Sequence, residues 1–219
     1  MVIVYTATRN YYRYLRTTIK SLFEHNPSAK VYVLTEDDDA PFPNVINVSG
    51  LAPDRCVNKH TPFSYMSLLR PQIADIVPED KVIYLDVDTI VCEDLTPLWE
   101  VDMTGKWWGA VKERQTWHNP YGPDYYNNGV SIYHLKQMRD DGIVPVLVKS
   151  INETLYAFPD QDVMNRFCVP DHVVPLPMRY NESGCCGYTR RPAIFHYAGV
   201  PNWYTNPQIR GAEYLRKYL

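Results

Sequence analysis

KVIYLDVDTIV, residues 81–91, decides how the rest of the chain is read. Val82 to Leu85 form a short apolar run of the kind that fills a buried strand, and then Asp86 and Asp88 flank Val87 before the chain turns apolar again. Residues i and i+2 of an extended segment project to the same side, so the two carboxylates converge on one point. Like charges held that close need a cation between them, or one of them takes up a proton. Three readings stay open from these residues alone. They are a solvated turn, the nucleophile and acid of a DxDxT phosphohydrolase, and a site for a hard divalent metal that would in turn hold phosphate oxygens.

Working outward, the chain alternates between two hydrophobic periods. Val2 to Tyr5 reads as a strand, and Tyr11 to His25 carries Tyr14, Leu15, Thr18, Ile19, Leu22 and Phe23 at helical spacing. VYVLT (31–35) and VINV (45–48) read as strands, and FSYMSLLRPQIADIV (63–77) as a helix interrupted or kinked at Pro71. This alternation predicts an α/β domain with a largely parallel central sheet. Ligands of such sheets collect beyond the carboxyl ends of the strands, which is where Asp86 and Asp88 stand.

The bulk composition narrows the function. At 219 residues, 45% hydrophobic and 21% charged, the chain is expected to form a single domain over 1–219. A net charge of −3 with no dense Lys/Arg run argues against a reader of phosphate backbones, so nucleic acid is not an expected partner. MVIVYTAT at the start reads as a first core strand and not as a signal peptide, and no apolar run reaches membrane-spanning length. Five cysteines without zinc-ligand spacing fit a reducing compartment, with Cys185 and Cys186 as loop thiols. The expected location is the cytoplasm. Asn47, Asn152 and Asn181 each begin an N-x-S/T triplet, a pattern that matters only in a secreted chain, and are read as chance.

Three further segments, YYNNGVSIYHL (125–135), FPDQDVMN (158–165) and IFHYAGVPNWY (194–204), follow the D-x-D in order, and ATRNYYRYL (7–15) and VYVLTEDD (31–38) precede it. Together they resemble glycosyltransferase family 8, the group containing glycogenin and bacterial lipopolysaccharide galactosyltransferases, over nearly the whole chain. The resemblance implies an α/β fold of GT-A type, with a Rossmann-like mixed central sheet flanked by helices. It also implies a metal-dependent retaining transferase that moves a hexose from a UDP-sugar to an acceptor the sequence does not identify.

Carried over residue by residue, the resemblance makes Asp86, Asp88 and His196 ligands of Mn²⁺ or Mg²⁺. Ala7, Thr8, Asn10 and Tyr11 match the uridine pocket, with Tyr11 stacked on uracil, while Asp86, Val87, Gly199 and Asn202 fall where the nucleotide is contacted. Asn127, Asn128, Asp160 and Gln161 fall where the donor sugar is held, and Gln161, Asp160 and Asn127 line the reacting face. An amide is a poor nucleophile, so a front-face mechanism, with Gln161 and Asn127 stabilising positive character on the sugar, is more economical than covalent attack. Each residue also has a plainer reading: His196 as a structural imidazole, Tyr11 as packing at a helix start, Asn127 as a turn residue and Asp160 as a helix cap.

The chain departs from the family pattern at its cations. Ser67 stands where relatives carry a basic residue, and Arg70, one turn further on, substitutes only if the helix is rotated or kinked near Pro71. Arg9 replaces an acidic residue, and Asn202 lies near the family lysine. The alternative reading is therefore a non-catalytic or weakly hydrolytic relative that keeps only the nucleotide site. The phosphohydrolase would draw on Asp140 and Asp141, the later acidic pair. In ERQTWHNPYGPDYY (113–126), Trp117, His118, Tyr121 and Tyr126 are candidates to stack on an acceptor ring. QIRGAEYLRKYL (208–219), whose cations are Arg210, Arg216 and Lys217, is expected to pack as a helix, with at most peripheral membrane contact.

Overall fold

The computed structural model describes residues 1–51, 56–59, 65–114, 121 and 124–219, so Trp117 and His118 lie outside the described residues. The elements in chain order are β1 (Val2–Thr6), α1 (Tyr12–His25), β2 (Lys30–Thr35), β3 (Val45–Asn47), a 3₁₀ segment (Tyr65–Gln72), α2 (Ile73–Ile76), β4 (Val82–Leu85), β5 (Thr89–Val91) and α3 (Thr96–Trp99). They continue with β6 (Trp108–Lys112), β7 (Tyr126–Tyr133), α4 (Leu135–Asp140), α5 (Val144–Glu153), α6 (Pro159–Cys168), β8 (Val173–Leu176), β9 (Ile194–His196) and α7 (Ala212–Arg216).

Seven strands form one sheet in the order β3-β2-β1-β4-β7-β6-β8. β3, β2, β1 and β4 are mutually parallel, β7 runs antiparallel to both β4 and β6, and β8 is parallel to β6. The sheet is thus mixed, and the largely parallel sheet suggested by strand-helix alternation holds only for its first half. Successive residues of β1 and β4 serve opposite faces: Val4, Val82 and Tyr84 join one core, and Ile3, Tyr5, Ile83 and Leu85 join the other. α1 and α3 cover the second face through Leu15, Ile19, Leu22 and Leu98, and α2, α4, α5 and α6 cover the first. Burying one such leucine contributes about 2 kcal/mol, and burial on both faces explains the unbroken apolar runs of β1 and β4.

The expected interruption falls at Pro71, where a 3₁₀ helix gives way to the short α2. Proline supplies no N–H, and the helical hydrogen-bond ladder changes type there. A second correction concerns the opening stretch. β4 ends at Leu85, and Val87 and Asp88 form a turn into β5, so it is the turn and not the pleat of a strand that brings the carboxylates together. Thr89 Oγ1 donates to Asp86 O at 2.7 Å, and Thr18 Oγ1 on α1 donates to Val87 O at 2.9 Å and Thr89 O at 2.8 Å.

β5 then leaves the main sheet and pairs antiparallel with β9, with Thr89 opposite His196. α7 packs on this ribbon, as expected of the last segment: Leu215 and Tyr218 are buried against Ile90, Phe195 and Tyr197. Among the described residues no helix is long and apolar enough to cross a membrane.

Candidate active site

The ribbon register explains how distant residues meet. Tyr197 N donates to Asp88 O at 2.9 Å, and His196 consequently lies beside the β4–β5 turn. One ligand-type atom from each of Asp86, Asp88 and His196 lies within 4.8 Å of the others. His196 Nε2 is 3.3 Å from Asp88 Oδ1 and 3.9 Å from Asp86 Oδ2. Burial pushes the Asp86 carboxyl up to about 6, with Arg70 pulling it down and Asp88 adding to the rise. Burial would also raise Asp88, but the His196 ring outweighs it and holds Asp88 below its ordinary value. The imidazole, which burial alone would lower, is raised by Asp88.

Two carboxylates and an imidazole form a donor set that suits Mn²⁺, which tolerates mixed oxygen and nitrogen ligation. The backbone makes room for that set at Gly129 of β7. A Cβ there would lie 2.2 Å from His196 Cε1 and 2.7 Å from Asp86 Oδ2. Gly129 O also accepts the Asp86 N–H at 2.8 Å, which fixes the turn to the sheet. The three residues therefore fit a divalent cation.

Arg70 sits over this cluster. Its Nη2 donates to Asp86 Oδ1, and its Nη1 donates to Asp160 Oδ2 at 2.8 Å and to Asn128 O at 3.3 Å. Its guanidinium carbon lies 4.5 Å from the centre of the Tyr84 ring, and the Tyr84 hydroxyl donates to Asp86 Oδ1 at 3.0 Å. Asp86 Oδ1 is thus held from two sides, and Oδ2 is left facing His196. With side-chain exposures of 11% for Arg70 and 8% for Asp160, this ion pair is largely removed from water, where attraction is stronger than at the surface.

Two cavities share the cluster as a common rim. One, of about 440 Å³, is lined by Thr6, Ala7, Thr8, Tyr11, Val87 and Trp203, among others. The other, of about 1050 Å³, includes Glu113, Arg114, Asn127, Asp160 and Gln161 in its lining. Ser67, Arg70, Asp86, Asp88 and Gly199 line both. On the floor of the larger cavity, Glu113 Oε1 accepts Asn127 Nδ2 at 2.9 Å and Gln161 Nε2 at 3.1 Å, while Gln161 Oε1 accepts Asn128 N–H at 3.1 Å. Asn128 Nδ2 donates to Asp160 Oδ2 at 2.9 Å, so α6 and the start of β7 are tied together beneath the cavity.

Residues 2–201 match the family described as glycosyl transferase family 8. The chain belongs to that family. Among curated family-like proteins, glycosyltransferase GlyD of Streptococcus pneumoniae serotype 4 is 31% identical over 163 residues, which is 67% of this chain and 19% of GlyD. The probable glycosyl transferase Gly of Streptococcus gordonii is 29% identical over 183 residues, 75% of this chain and 26% of Gly. The chain therefore spans about a quarter or less of these two relatives. The fold matches that of the galactosyltransferase LgtC, solved with donor and acceptor sugar analogs, with a TM-score of 0.72, 23% identity and coverage of 100% of this chain and 95% of LgtC. It also matches S. pneumoniae GlyE with a TM-score of 0.74, 24% identity and coverage of 99% of this chain and 60% of GlyE. These matches establish the α/β GT-A fold with its mixed sheet.

The family 8 resemblance is brought together in space for most, not all, of the residues it singled out. Ala7, Thr8, Tyr11, Val87 and Gly199 line the smaller cavity, and Asn127, Asp160 and Gln161 the larger, with Asn128 buried behind them. Asn10 and Asn202 are exposed and line neither cavity, and Asn202 has a left-handed φ of 55°. Tyr126 is buried on β7 with its ring edge-on to Trp108, Tyr121 packs on Tyr156, and neither lines the larger cavity. Cys185 lines that cavity, but burial raises its thiol and pushes Cys186 up to about 12, which is the reverse of activation.

Arg70 answers the departure at Ser67. In a 3₁₀ helix residues i and i+3 eclipse, so Arg70 stands directly over Ser67 and both reach the same rim. Glu113 escaped the sequence reading altogether, because its partners Asn127 and Gln161 belong to other elements.

Proposed function

We propose that the protein is a metal-dependent glycosyltransferase that moves a hexose from a UDP-sugar to an acceptor hydroxyl with retention of anomeric configuration, residues 1–219 acting as one domain. The observation that carries the reading is the Asp86–Asp88–His196 cluster on the shared rim of two cavities. A nucleoside fits the smaller cavity, with Tyr11, Ala7, Thr8 and Val87 as its walls, and a sugar with its acceptor fits the larger. The diphosphate then lies on the rim. Asp86, Asp88, Glu113 and Asp160 line the larger cavity against Arg70 and Arg114, so a phosphate anion needs a cation to enter.

Asp86, Asp88 and His196 would hold that cation, Mn²⁺ or Mg²⁺, which when bound neutralises the charge that develops on the departing β-phosphate. The chain's own residues orient the donor. Gly199 has a φ of 68°, and a Cβ there would meet nothing within 4 Å, so its backbone is open to the phosphates. Arg70 supplies the fixed positive charge at the rim shared by the two cavities. Asp160 and Asn127 hold sugar hydroxyls, and Asn128 behind them braces Asp160 through its Nδ2. Gln161 directs its amide oxygen to the Asn128 N–H and its nitrogen to Glu113, an arrangement that favours stabilisation of the sugar over nucleophilic attack by the amide.

The phosphohydrolase alternative loses its second acidic pair. Asp141 accepts Trp107 Nε1 at 2.5 Å and Asp140 pairs with Lys136. Both follow the end of β7 that lies beside Val82, the far end of β4 from Asp86. For a binding-only relative there would be no need to keep Gln161 and Asp160 on the cavity floor.

The test is release of UDP from UDP-glucose, UDP-galactose and UDP-N-acetylglucosamine with Mn²⁺, comparing wild type with Asp88→Asn. Release by wild type that collapses in Asp88→Asn is the expected result. Equal release by the two proteins would remove the metal assignment, and no stabilisation by UDP with Mn²⁺ in thermal unfolding would remove the nucleotide site.

A further inference from the structure

An unbroken line of hydrogen bonds runs from His196 to the floor of the larger cavity, and only one placement of its hydrogens satisfies every member. It has two fixed ends. The Glu113 carboxylate only accepts, and the Gly129 backbone N–H only donates. Asn127 contacts both: Nδ2 lies 2.9 Å from Glu113 Oε1, and Oδ1 lies 3.0 Å from Gly129 N. The reverse orientation of this amide would set oxygen against carboxylate and N–H against N–H, so its direction follows from its neighbours.

Asn181 comes next. Its Nδ2 donates to Asn127 Oδ1 at 2.8 Å, which turns its own Oδ1 toward His196 Nδ1, also at 2.8 Å. An amide oxygen only accepts, so Nδ1 carries the hydrogen. The lone pair of the neutral ring then sits on Nε2, the atom that faces Asp88 and Asp86. Asn181 is fully buried and His196 and Asn127 nearly so, and water does not compete for these contacts. A hydroxyl in place of Asn181 would transmit no direction, because it donates as readily as it accepts.

We propose that Asn181 is a positioning residue that holds His196 in the Nδ1–H tautomer, with Asn127 and Glu113 as the anchor, so that Nε2 faces the cation position before any cation arrives. The inference rests on the Asp86–Asp88–His196 cluster being a metal site. It gives a role to a fully buried asparagine that the sequence singled out only as the start of an N-x-S triplet, and it links the metal side of the rim to Gln161 through the shared Glu113.

The experiment measures Mn²⁺ affinity of the full chain by the electron paramagnetic resonance signal of free Mn²⁺, with no sugar nucleotide present. Asn181→Leu keeps the branched shape and removes both polar partners, and Asn181→Asp, which burial and the facing Asn127 oxygen favour as the neutral acid, keeps a donor toward Asn127 and an acceptor toward His196. Loss of such an outer partner weakens metal binding by about 10- to 100-fold, the result expected for Asn181→Leu, whereas Asn181→Asp should stay within about threefold of wild type. Wild-type affinity in an Asn181→Leu protein of unchanged melting temperature overturns the proposal, and so does an equal loss in both variants. Should Asn181→Leu not fold, metal-free wild type with ¹⁵N-labelled histidine, at a pH where the ring is neutral, decides the matter: a proton on His196 Nδ1 supports the proposal, and one on Nε2 overturns it. Absence of Mn²⁺ binding by wild type would instead remove the metal site itself, an outcome distinct from tight binding by both wild type and Asn181→Leu.

Discussion

Gly129→Ala adds one methyl group where β7 passes the His196 ring. The new Cβ would lie 2.2 Å from His196 Cε1, 2.7 Å from Asp86 Oδ2 and 3.0 Å from His196 Nδ1. Carbon atoms pack at about 3.5–4.0 Å, so the ring must retreat by more than about 1 Å. Its freedom to do so is small, because His196 is 3% exposed, its backbone N–H is bonded to Glu182 O at 2.8 Å and its Nδ1 is bonded to Asn181. Gly129 is not among the residues of positive φ, so alanine carries no backbone penalty and the whole effect is steric. Overpacking of this kind costs about 1–3 kcal/mol, which lowers the melting temperature of a chain this size by roughly 2–12 °C. Displacement of one ligand should also weaken Mn²⁺ binding by at least about tenfold. Thermal unfolding and Mn²⁺ titration would read both effects, with Gly50→Ala as the control, since a Cβ at Gly50 meets nothing within 4 Å. A Gly129→Ala protein with wild-type melting temperature and Mn²⁺ affinity would refute the close-approach argument.

Three other perturbations test separate parts of the site. Arg70→Met strands Asp86 and Asp160 without their partner and should cost about 3 kcal/mol in urea denaturation, because breaking a buried pair leaves uncompensated charge; a loss below about 1 kcal/mol would show that the pair is solvated. Mn²⁺ displaces protons from its ligands, and the Asp86 carboxyl is pushed up to about 6 while His196 is also raised. Affinity should therefore hold above neutrality and fall as the pH drops through about 6, and a flat profile from about pH 5 to 8 would contradict this. Gly211→Ala forces a side chain into φ of 81° with its Cβ 2.4 Å from the Phe195 ring, and should destabilise the β5–β9 ribbon by about 2–4 kcal/mol in urea.

Local spacing made much of this molecule legible. The apolar runs of β1, β2 and β4 and the helical period of α1 are properties of a few consecutive residues, and the D-x-D, NNGV, DQD and HYAG segments carry their identity the same way. Strand direction was harder to read, because β7 arrives through a long connection and nothing in its residues says that it runs against β4. Arg70 was visible only as a misplaced cation, since its service depends on the 3₁₀ geometry that eclipses it with Ser67. Asn181 and Glu113 were beyond reach: their partners come from other elements, and their meaning lies in which atom donates. Asn10 and Asn202, also motif positions, are exposed and line neither cavity.

The pairing of Thr89 with His196 has a thermodynamic side. An ion held by Asp86, Asp88 and His196 would join the centre of the sheet to a ribbon strand far along the chain, as a removable cross-link. Binding the native state alone, at a concentration a hundred times its dissociation constant it would add about 2.7 kcal/mol of stability. Unzipping the ribbon would pull His196 away and release the ion, even with the seven-stranded sheet intact. Chelation should therefore loosen the β5–β9 ribbon first, and metal content would report whether that long-range pairing has closed.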